Sequence, residues 1–573
     1  MTGNQSFAPT FFHRISRNAI LLAIVALAIG LRLNNLLPPE RGLRFAADAD
    51  EGIYAASARL ALDGFVPYRD YFCSAPPLAL YLFMAVLAPS SPPWGNTAGF
   101  MALRYVSVAY GITTLLAVYA IGARLGGKPA GLLAAALLAA DGWAVAQDRR
   151  AMLEAPMSMF SALAILTFIV AQHQIERKQR WYLAAAILAG MAILTKTQGA
   201  VALLAILLTL LLQHRWRSAI FIFGIAAATY LAFSLPFLLL AGDDFVRQLF
   251  FFQFLRPPNG DPALILRVNA IRNYAESWLT VRLGLLGAAL LFLRWLFKPV
   301  ATLITSIVSS APGRQRPKSP NSTGGPEPLS HPESSHPLDA WLPVFLWAGM
   351  VAASFVASRT FYLYYYAQLA APLALLGGSL VHPWRSSEQT LHQRSEPSSN
   401  QISVSRLAIG TLLIVLAVWR LPTQIEATMG ATGWVKDAYV DIGRHLQEGA
   451  PTANVLGFEP NYAFLASRPI AHLADGTFFV DSHADMIYRN LGIKSTAWPE
   501  LIRRLARRDI TDEQTLLWQQ PAQDTVRVAL ADAHYVIIDR RARYLCTPDT
   551  IQQLEDATVQ VAVSGDVVLR MKP

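Results

Sequence analysis

Apolar runs of about twenty residues recur along this chain, and they restrict its fold more than any other feature, because a helix needs about that length to cross the hydrocarbon layer of a bilayer. Such runs are read at 18–37, 98–123, 129–146, 156–171, 181–194, 199–212, 218–240, 277–297, 341–357, one ending near 381, and 407–421. A soluble domain is about 25% charged. This chain is 15% charged and 54% hydrophobic, a deficit explained by a surface that faces lipid. The expected fold class is therefore a polytopic α-helical membrane protein with about 11 transmembrane helices. His13, Arg14 and Arg17 precede the first run with no small-residue cleavage site, so that run reads as an uncleaved helix.

Between the runs, the chain's polar segments assign sides. Arg14 and Arg17, Arg124 and Lys128, Arg177 to Arg180, Arg215 and Arg217, Arg314 to Lys318, and Arg385 and Arg394 fall on one side, which the positive-inside rule makes cytoplasmic. The net charge of +10 is then loop arginine and lysine, not a nucleic-acid surface. Segments 312–337 and 383–405 are rich in proline and serine without apolar period and read as disordered cytoplasmic linkers. The apolar stretch 76–88 is short and reads as re-entrant or interfacial, and Phe250, Phe251, Phe252 and Phe254 beside Arg256 read as a helix lying in the bilayer surface. From about 422 the pattern changes. A helix over 434–446 and strands at 454–458, 533–539, 558–563 and 567–570 predict a C-terminal α/β domain on the extracytoplasmic side. The division is 1–17 cytoplasmic N-terminus, 18–421 membrane domain and 422–573 outer domain.

Chemistry-bearing residues collect on the outer side. Asp48, Asp50 and Glu51 follow the first run. Asp48 and Glu51 have the spacing of a capping box for a helix over 49–63, closed by Gly64, which leaves Asp50 as unexplained negative charge at the membrane edge. Arg149, Arg150 and Glu154 form a second group: the arginines suit phosphate, and Arg150 and Glu154 also have the spacing of a helical ion pair. Lys196 sits between two apolar runs, either snorkelling to the interface or meeting a phosphate. Tyr362, Tyr364, Tyr365 and Tyr366 read either as interfacial belt residues or as the lining of a polyprenyl or sugar pocket. Asp141 reads as solvated near the surface, and His472, Asp475, Asp481, His483 and Asp485 as a solvated loop. No acidic or histidine cluster has a convincing metal-ligand spacing, so no cofactor is assigned and a divalent cation stays open. Cys73 and Cys546 are too few for a disulfide framework, and one bridge between them stays open.

An Asp-Glu pair after the first run, an Arg…Leu-Glu link before the fourth, a Leu-Thr-Lys element and a Tyr-rich turn before a proline-containing helix occur in that order. In this the chain resembles the GT-C polyprenyl-phosphate-sugar glycosyltransferases, of the protein O-mannosyltransferase and aminoarabinose-transferase type, over 20–421. The resemblance implies a GT-C fold and an enzyme that moves a sugar from a polyprenyl-phosphate donor to an acceptor hydroxyl with inversion. It matches Asp50 to the catalytic acid and Glu51 to its partner. Arg149, Arg150 and Lys196 match donor-phosphate positions, and Glu154 an acidic position of the second outer loop, while Asp48, Arg256 and Tyr365 are further substrate-binding candidates. Aminoarabinose transferases carry a lysine before Pro-Pro-Leu, where this chain has Cys73, Ser74 and Ala75. The acceptor therefore stays open among glycan, lipid and protein. A secondary transporter, which would place ionisable residues at the bilayer midplane between internal repeats, and a membrane scaffold without chemistry are the alternatives.

Overall fold

The computed structural model describes residues 8–45, 48–90, 95–174, 176–260, 267–269, 272, 278–296, 337–358, 360–381, 422–423, 425–426, 436–507 and 512–573. The expected linkers, apart from Pro337, and the run at 407–421 lie outside them.

Helices follow the apolar pattern. After α1 (Ala8–Leu33) comes α2 (Ala49–Leu62), which opens with Asp48 as N-cap and a complete capping box. Next are α3 (Pro77–Leu87) and α4 (Gly95–Ala139). Gly127 breaks α4 with φ 83°, a region open to glycine, and Pro129 restarts it with its fixed φ. The two halves, which correspond to the expected second and third runs, fold back until a Cβ on Gly122 would lie 2.9 Å from the Gly131 backbone. The third run stops at Ala139, earlier than expected. Asp141 is not solvated: it is fully buried and accepts from Ala144 N at 3.0 Å to cap α5 (Gly142–Asp148). Then follow α6 (Glu154–His173), α7 (Lys178–Thr195), α8 (Ala200–Leu212), α9 (Trp216–Ala241), α10 (Leu279–Leu296), α11 (Pro337–Ala357) and α12 (Ala367–Gly378).

Among the described residues, four helices are long and apolar enough to cross a membrane: Asn96–Ala139, Glu154–His173, Trp216–Ala241 and Asp339–Ala357. Shorter apolar helices occupy Ala19–Leu33, Pro77–Leu87, Thr197–Leu212 and Leu279–Leu293. The outer face of α9 shows Ile220, Phe223, Leu231, Leu235 and Leu239 at 50–75% exposure. Water would penalise so continuous an apolar face and lipid would not.

The aromatic stretch is helical. Asp243–Val246, a π-helical turn at Arg247–Phe251 and Phe252–Leu255 run on end to end. Phe251 and Phe252 turn inward against Trp498 and Tyr488, while Phe250 and Phe254 stay exposed. Two-residue strands β1 (Asn259–Gly260) and β2 (Thr360–Phe361) pair in parallel beyond it.

The C-terminal part holds a four-stranded sheet, order β3-β4-β6-β5, of β3 (Val455–Leu456), β4 (Tyr535–Ile538), β5 (Val559–Ser564) and β6 (Val567–Met571). β3 and β4 are parallel, and β5 and β6 form the expected hairpin. The first two strands are shorter than the sequence suggested, β4 because Asp539 directly after it caps the next helix. A single buried cluster joins Ile53, Tyr71, Leu80, Phe100 and Phe237 to Tyr439, Ile442, Tyr462, Phe464, Tyr535 and Leu569. The sheet therefore shares a core with the helices near α2.

Candidate active site

The capping box splits the three acids. Asp48 accepts from Asp50 N at 3.1 Å, and Glu51 accepts from Asp48 N at 3.1 Å. Glu51 is fully buried and turned toward α4: Arg104 Nε and Nη2 donate to its two oxygens at 2.8 and 2.7 Å, and Ala151 N donates at 2.7 Å. Arg104 Nη1 also donates to Gly42 O and Phe45 O. Glu51 thus fixes α2 against α4 and the 149–153 link, and it does not line the cavity. Asp50 lies about 100° around the helix from Glu51. It is half-buried, opens into a cavity of about 320 Å³, and accepts no hydrogen bond on its carboxylate among the described residues. Burial first, and the like charge of Asp48 second, push its carboxyl up to about 7. Gly52 permits this placement, since a Cβ there would lie 1.4 Å from Asn461 Oδ1 and 2.6 Å from Asn461 N. Asn461 Nδ2 in turn donates to Asp48 O at 2.9 Å.

Segments far apart in the chain wall the cavity. The 66–76 loop contributes Ser74 and Pro76. It is shaped by Tyr68, whose φ of 69° is left-handed and whose hydroxyl donates to Ala75 O at 2.7 Å, and by Gln248, which accepts from Cys73 N and donates to Tyr68 O. Lys196, at the C-cap of α7, pairs with Glu154 and lies 4.8 and 5.6 Å from the Tyr365 and Tyr364 rings. Burial lowers the Lys196 ammonium, but Glu154, Tyr365 and Asp50 outweigh it and hold it above its ordinary value. Arg256 donates to Thr360 Oγ1, and Tyr362, Tyr364 and Tyr365 complete this wall.

A further wall comes from two segments of the C-terminal part and was not expected. Arg541, Tyr544, Asp481 and His483 line the same cavity. Asp481 is buried as the N-cap of a helix over Ser482–Asn490, so the 472–485 group is not simply a solvated loop. His483 Nε2 lies 2.9 Å from Glu513 Oε1, to which Tyr544 also donates at 3.0 Å. Arg541 lies in the first turn of a helix over Arg540–Leu545 at the carboxyl end of β4, and Asp481 and Asp50 hold its guanidinium charged against burial. The signal was present in the sequence: Asp539, Arg540 and Arg541 directly follow a strand, and α/β sites gather at strand carboxyl ends.

Of the expected set, Asp48, Asp50, Lys196, Arg256 and Tyr365 meet in the cavity. Glu154 reaches it through Lys196. Arg149 and Arg150 do not line it. Arg149 is fully buried with Nη2 donating to Asn34 O, and burial pushes it down to about 10. Arg150 pairs with Asp48 at 3.3 Å instead of with Glu154. Among the described residues no group of three or more His, Cys, Asp or Glu side chains could hold a metal. Cys73 and Cys546 are separate, buried thiols.

Residues 75–239 match the family model described as dolichyl-phosphate-mannose-protein mannosyltransferase. No curated protein matches the chain. Among solved structures the chain is similar to ArnT from Cupriavidus metallidurans bound to undecaprenyl phosphate, at 15% identity and TM-score 0.55, covering 96% of this chain and 97% of that one. It is also similar to the oligosaccharyltransferase AglB from Archaeoglobus fulgidus in complex with an inhibitory peptide and a dolichol-phosphate, at 13% identity and TM-score 0.56, covering 98% and 77%. The oligosaccharyltransferase of that organism in complex with Zn and sulfate matches at 13% identity and TM-score 0.55, covering 96% and 73%. At these identities the likeness is one of fold.

Proposed function

We propose that this chain, a GT-C-type glycosyltransferase by its fold and by its mannosyltransferase segment, moves a sugar from a polyprenyl-phosphate donor to an acceptor hydroxyl on the extracytoplasmic side, with inversion. In this reading about eleven helices cross the membrane, residues 18–421 form the membrane domain with the N-terminus cytoplasmic, and 422–573 form the outer domain that closes the site from above. The observation that carries the reading is the unpaired Asp50 carboxylate in one cavity with Lys196 and Arg256.

Asp50 acts as general base. Its raised carboxyl is ionised for an appreciable fraction of molecules at neutral pH and basic enough to take the acceptor proton as the new glycosidic bond forms. The bond from the anomeric carbon to the phosphate oxygen breaks on the opposite face, and the lipid phosphate leaves with the electron pair. Lys196 and Arg256 stabilise that charge. Lys196 is held by Glu154 and the tyrosine rings before substrate arrives, so little reorganisation is left to the reaction. Asp48 and Glu51 position Asp50 through the capping box, and Asp48 also raises its basicity. Two proteins of similar fold, one bound to undecaprenyl phosphate and one in complex with a dolichol-phosphate, support this donor class.

The test is incubation of the purified protein in nanodiscs with polyprenyl-phosphate mannose and with polyprenyl-phosphate aminoarabinose, read by mass spectrometry as release of polyprenyl phosphate. Release from one donor, abolished in Asp50→Asn, is expected. Undiminished release in that variant, or flux of soluble solutes across sealed vesicles without chemical change, overturns the proposal.

A further inference from the structure

A second cavity, of about 740 Å³, lies in the C-terminal part between Lys436 and Val567, within the roughly 300–1,000 Å³ range of ligand pockets. Arg541 and Tyr544 line both this cavity and the one holding Asp50, so the two share a wall. We propose, on the basis of the transferase reading above, that this second cavity seats the part of the acceptor remote from the reacting hydroxyl, which enters the Asp50 cavity past the shared wall, and that this remote part is a neutral, unphosphorylated saccharide.

Among the described residues, three buried polar atoms in its wall lack a protein partner: Asp539 Oδ2, Tyr462 Oη and Arg541 Nε. Asp539 is 3% exposed and Tyr462 0%. A buried polar atom left unpaired costs about 1–3 kcal/mol, so such atoms mark where something else completes the hydrogen bonds. The neighbouring charges are already matched. Lys436 and the Tyr439 hydroxyl both donate to Glu459, and Arg44 pairs with Asp437 and Asp441. What stays open is an acceptor-only carboxylate oxygen, a phenol that can donate or accept, and a guanidinium donor. Adjacent sugar hydroxyls, each both donor and acceptor, satisfy that mixture.

The charge selects against phosphate. With Arg44 counted beside Lys436, Arg540 and Arg541, the five carboxylates Asp437, Asp441, Glu459, Asp539 and Asp566 still leave one negative charge in excess. An anionic acceptor would enter against that excess. A peptide acceptor would need apolar sockets, and of the wall's aliphatic side chains only Ala438 and Val567 are present. The Tyr544 ring, 44% exposed, offers the flat amphipathic face on which a sugar ring packs. Burial and the Glu459 charge push the Asp539 carboxyl up to about 6, which leaves it mostly an ionised acceptor at neutral pH.

Two isosteric variants isolate the open atoms. Asp539→Asn keeps the oxygen that accepts from Ala542 N at 2.8 Å and caps the following helix, and replaces only the unpaired one. Tyr462→Phe removes only the unpaired hydroxyl. Saturation-transfer NMR on the full-length protein in nanodiscs would be run with α-mannobiose, N,N′-diacetylchitobiose and mannose 6-phosphate as probes. At least one neutral disaccharide is expected to bind wild type and Asp50→Asn alike, and at least tenfold more weakly to each variant, Asp539→Asn carrying the test alone if Tyr462→Phe does not fold. Mannose 6-phosphate is expected not to bind. Absence of binding by both neutral probes, binding unchanged in Asp539→Asn, or preference for the phosphorylated sugar overturns the proposal. Because Asp50 does not line this cavity, undiminished lipid-phosphate release in Asp50→Asn would condemn the transferase reading, whereas the binding results condemn only the acceptor seat.

Discussion

Replacing Asp50 by asparagine should make the protein less active and more stable, and the stability gain should grow with pH. In the fold, burial and the Asp48 charge raise the Asp50 carboxyl from its ordinary 3.8 to about 7. Below pH 3.8 the group is protonated in folded and unfolded chains alike, and it costs the fold nothing. Between 3.8 and 7 the unfolded chain ionises while the folded one resists, and above 7 the folded carboxylate bears the full penalty. At about 1.4 kcal/mol per pH unit, the gap sets an upper bound on the order of 4 kcal/mol. Asparagine keeps the shape without the charge and escapes this cost. Thermal unfolding in one detergent from pH 4 to pH 8.5 is the assay. Melting curves of variant and wild type should coincide near pH 4 and separate by several degrees above pH 7, the variant higher. Loss of the base should lower transfer by about 10²–10⁴-fold. A variant that is inactive with a pH-independent melting difference, or that is destabilised above pH 7, would refute an unpaired, desolvated Asp50.

The transfer rate of wild type, as kcat/KM, should rise with pH up to about 7 and then level, and Asp48→Asn, which removes a like charge, should move that limb to lower pH. Glu51→Gln leaves Arg104 buried without its carboxylate and should cost about 3–5 kcal/mol in unfolding or abolish expression, a result a purely catalytic Glu51 would not give. Lys196→Met should raise the donor KM and lower kcat, by about 10²-fold together, with melting changed far less than in Glu51→Gln. Gly52→Ala should destabilise by about 1–3 kcal/mol through the clash with Asn461, while Gly30→Ala, with nothing within 4 Å, should be neutral; equal melting points for the two would contradict the close packing of α2 on 461–466.

The sequence by itself determined what local physics controls. Asp48 and Glu51 at capping-box spacing fixed where α2 begins, and apolar runs between polar links placed the helices from α6 to α9 within a few residues. The β5–β6 hairpin was legible because alternation and a Ser-Gly-Asp turn act over a dozen residues. Within-helix spacing could not decide which way each acid points. That depends on Arg104, fifty-three residues on, which captures Glu51, and on Asn461, over four hundred residues on, which packs against Gly52 and leaves Asp50 facing the cavity. The same holds for the cations. Arg149, Arg150 and Lys196 all matched donor-phosphate positions, yet the fold spends the two arginines on Asn34 and Asp48 and turns Lys196 inward. Arg541, Asp481 and Tyr544 enter the site because the sheet shares a buried core with the helices around α2, a contact that no local pattern encodes. Propensity and periodicity specify elements, whereas the assembly of a site depends on long-range packing that selects one side chain of several and buries the rest.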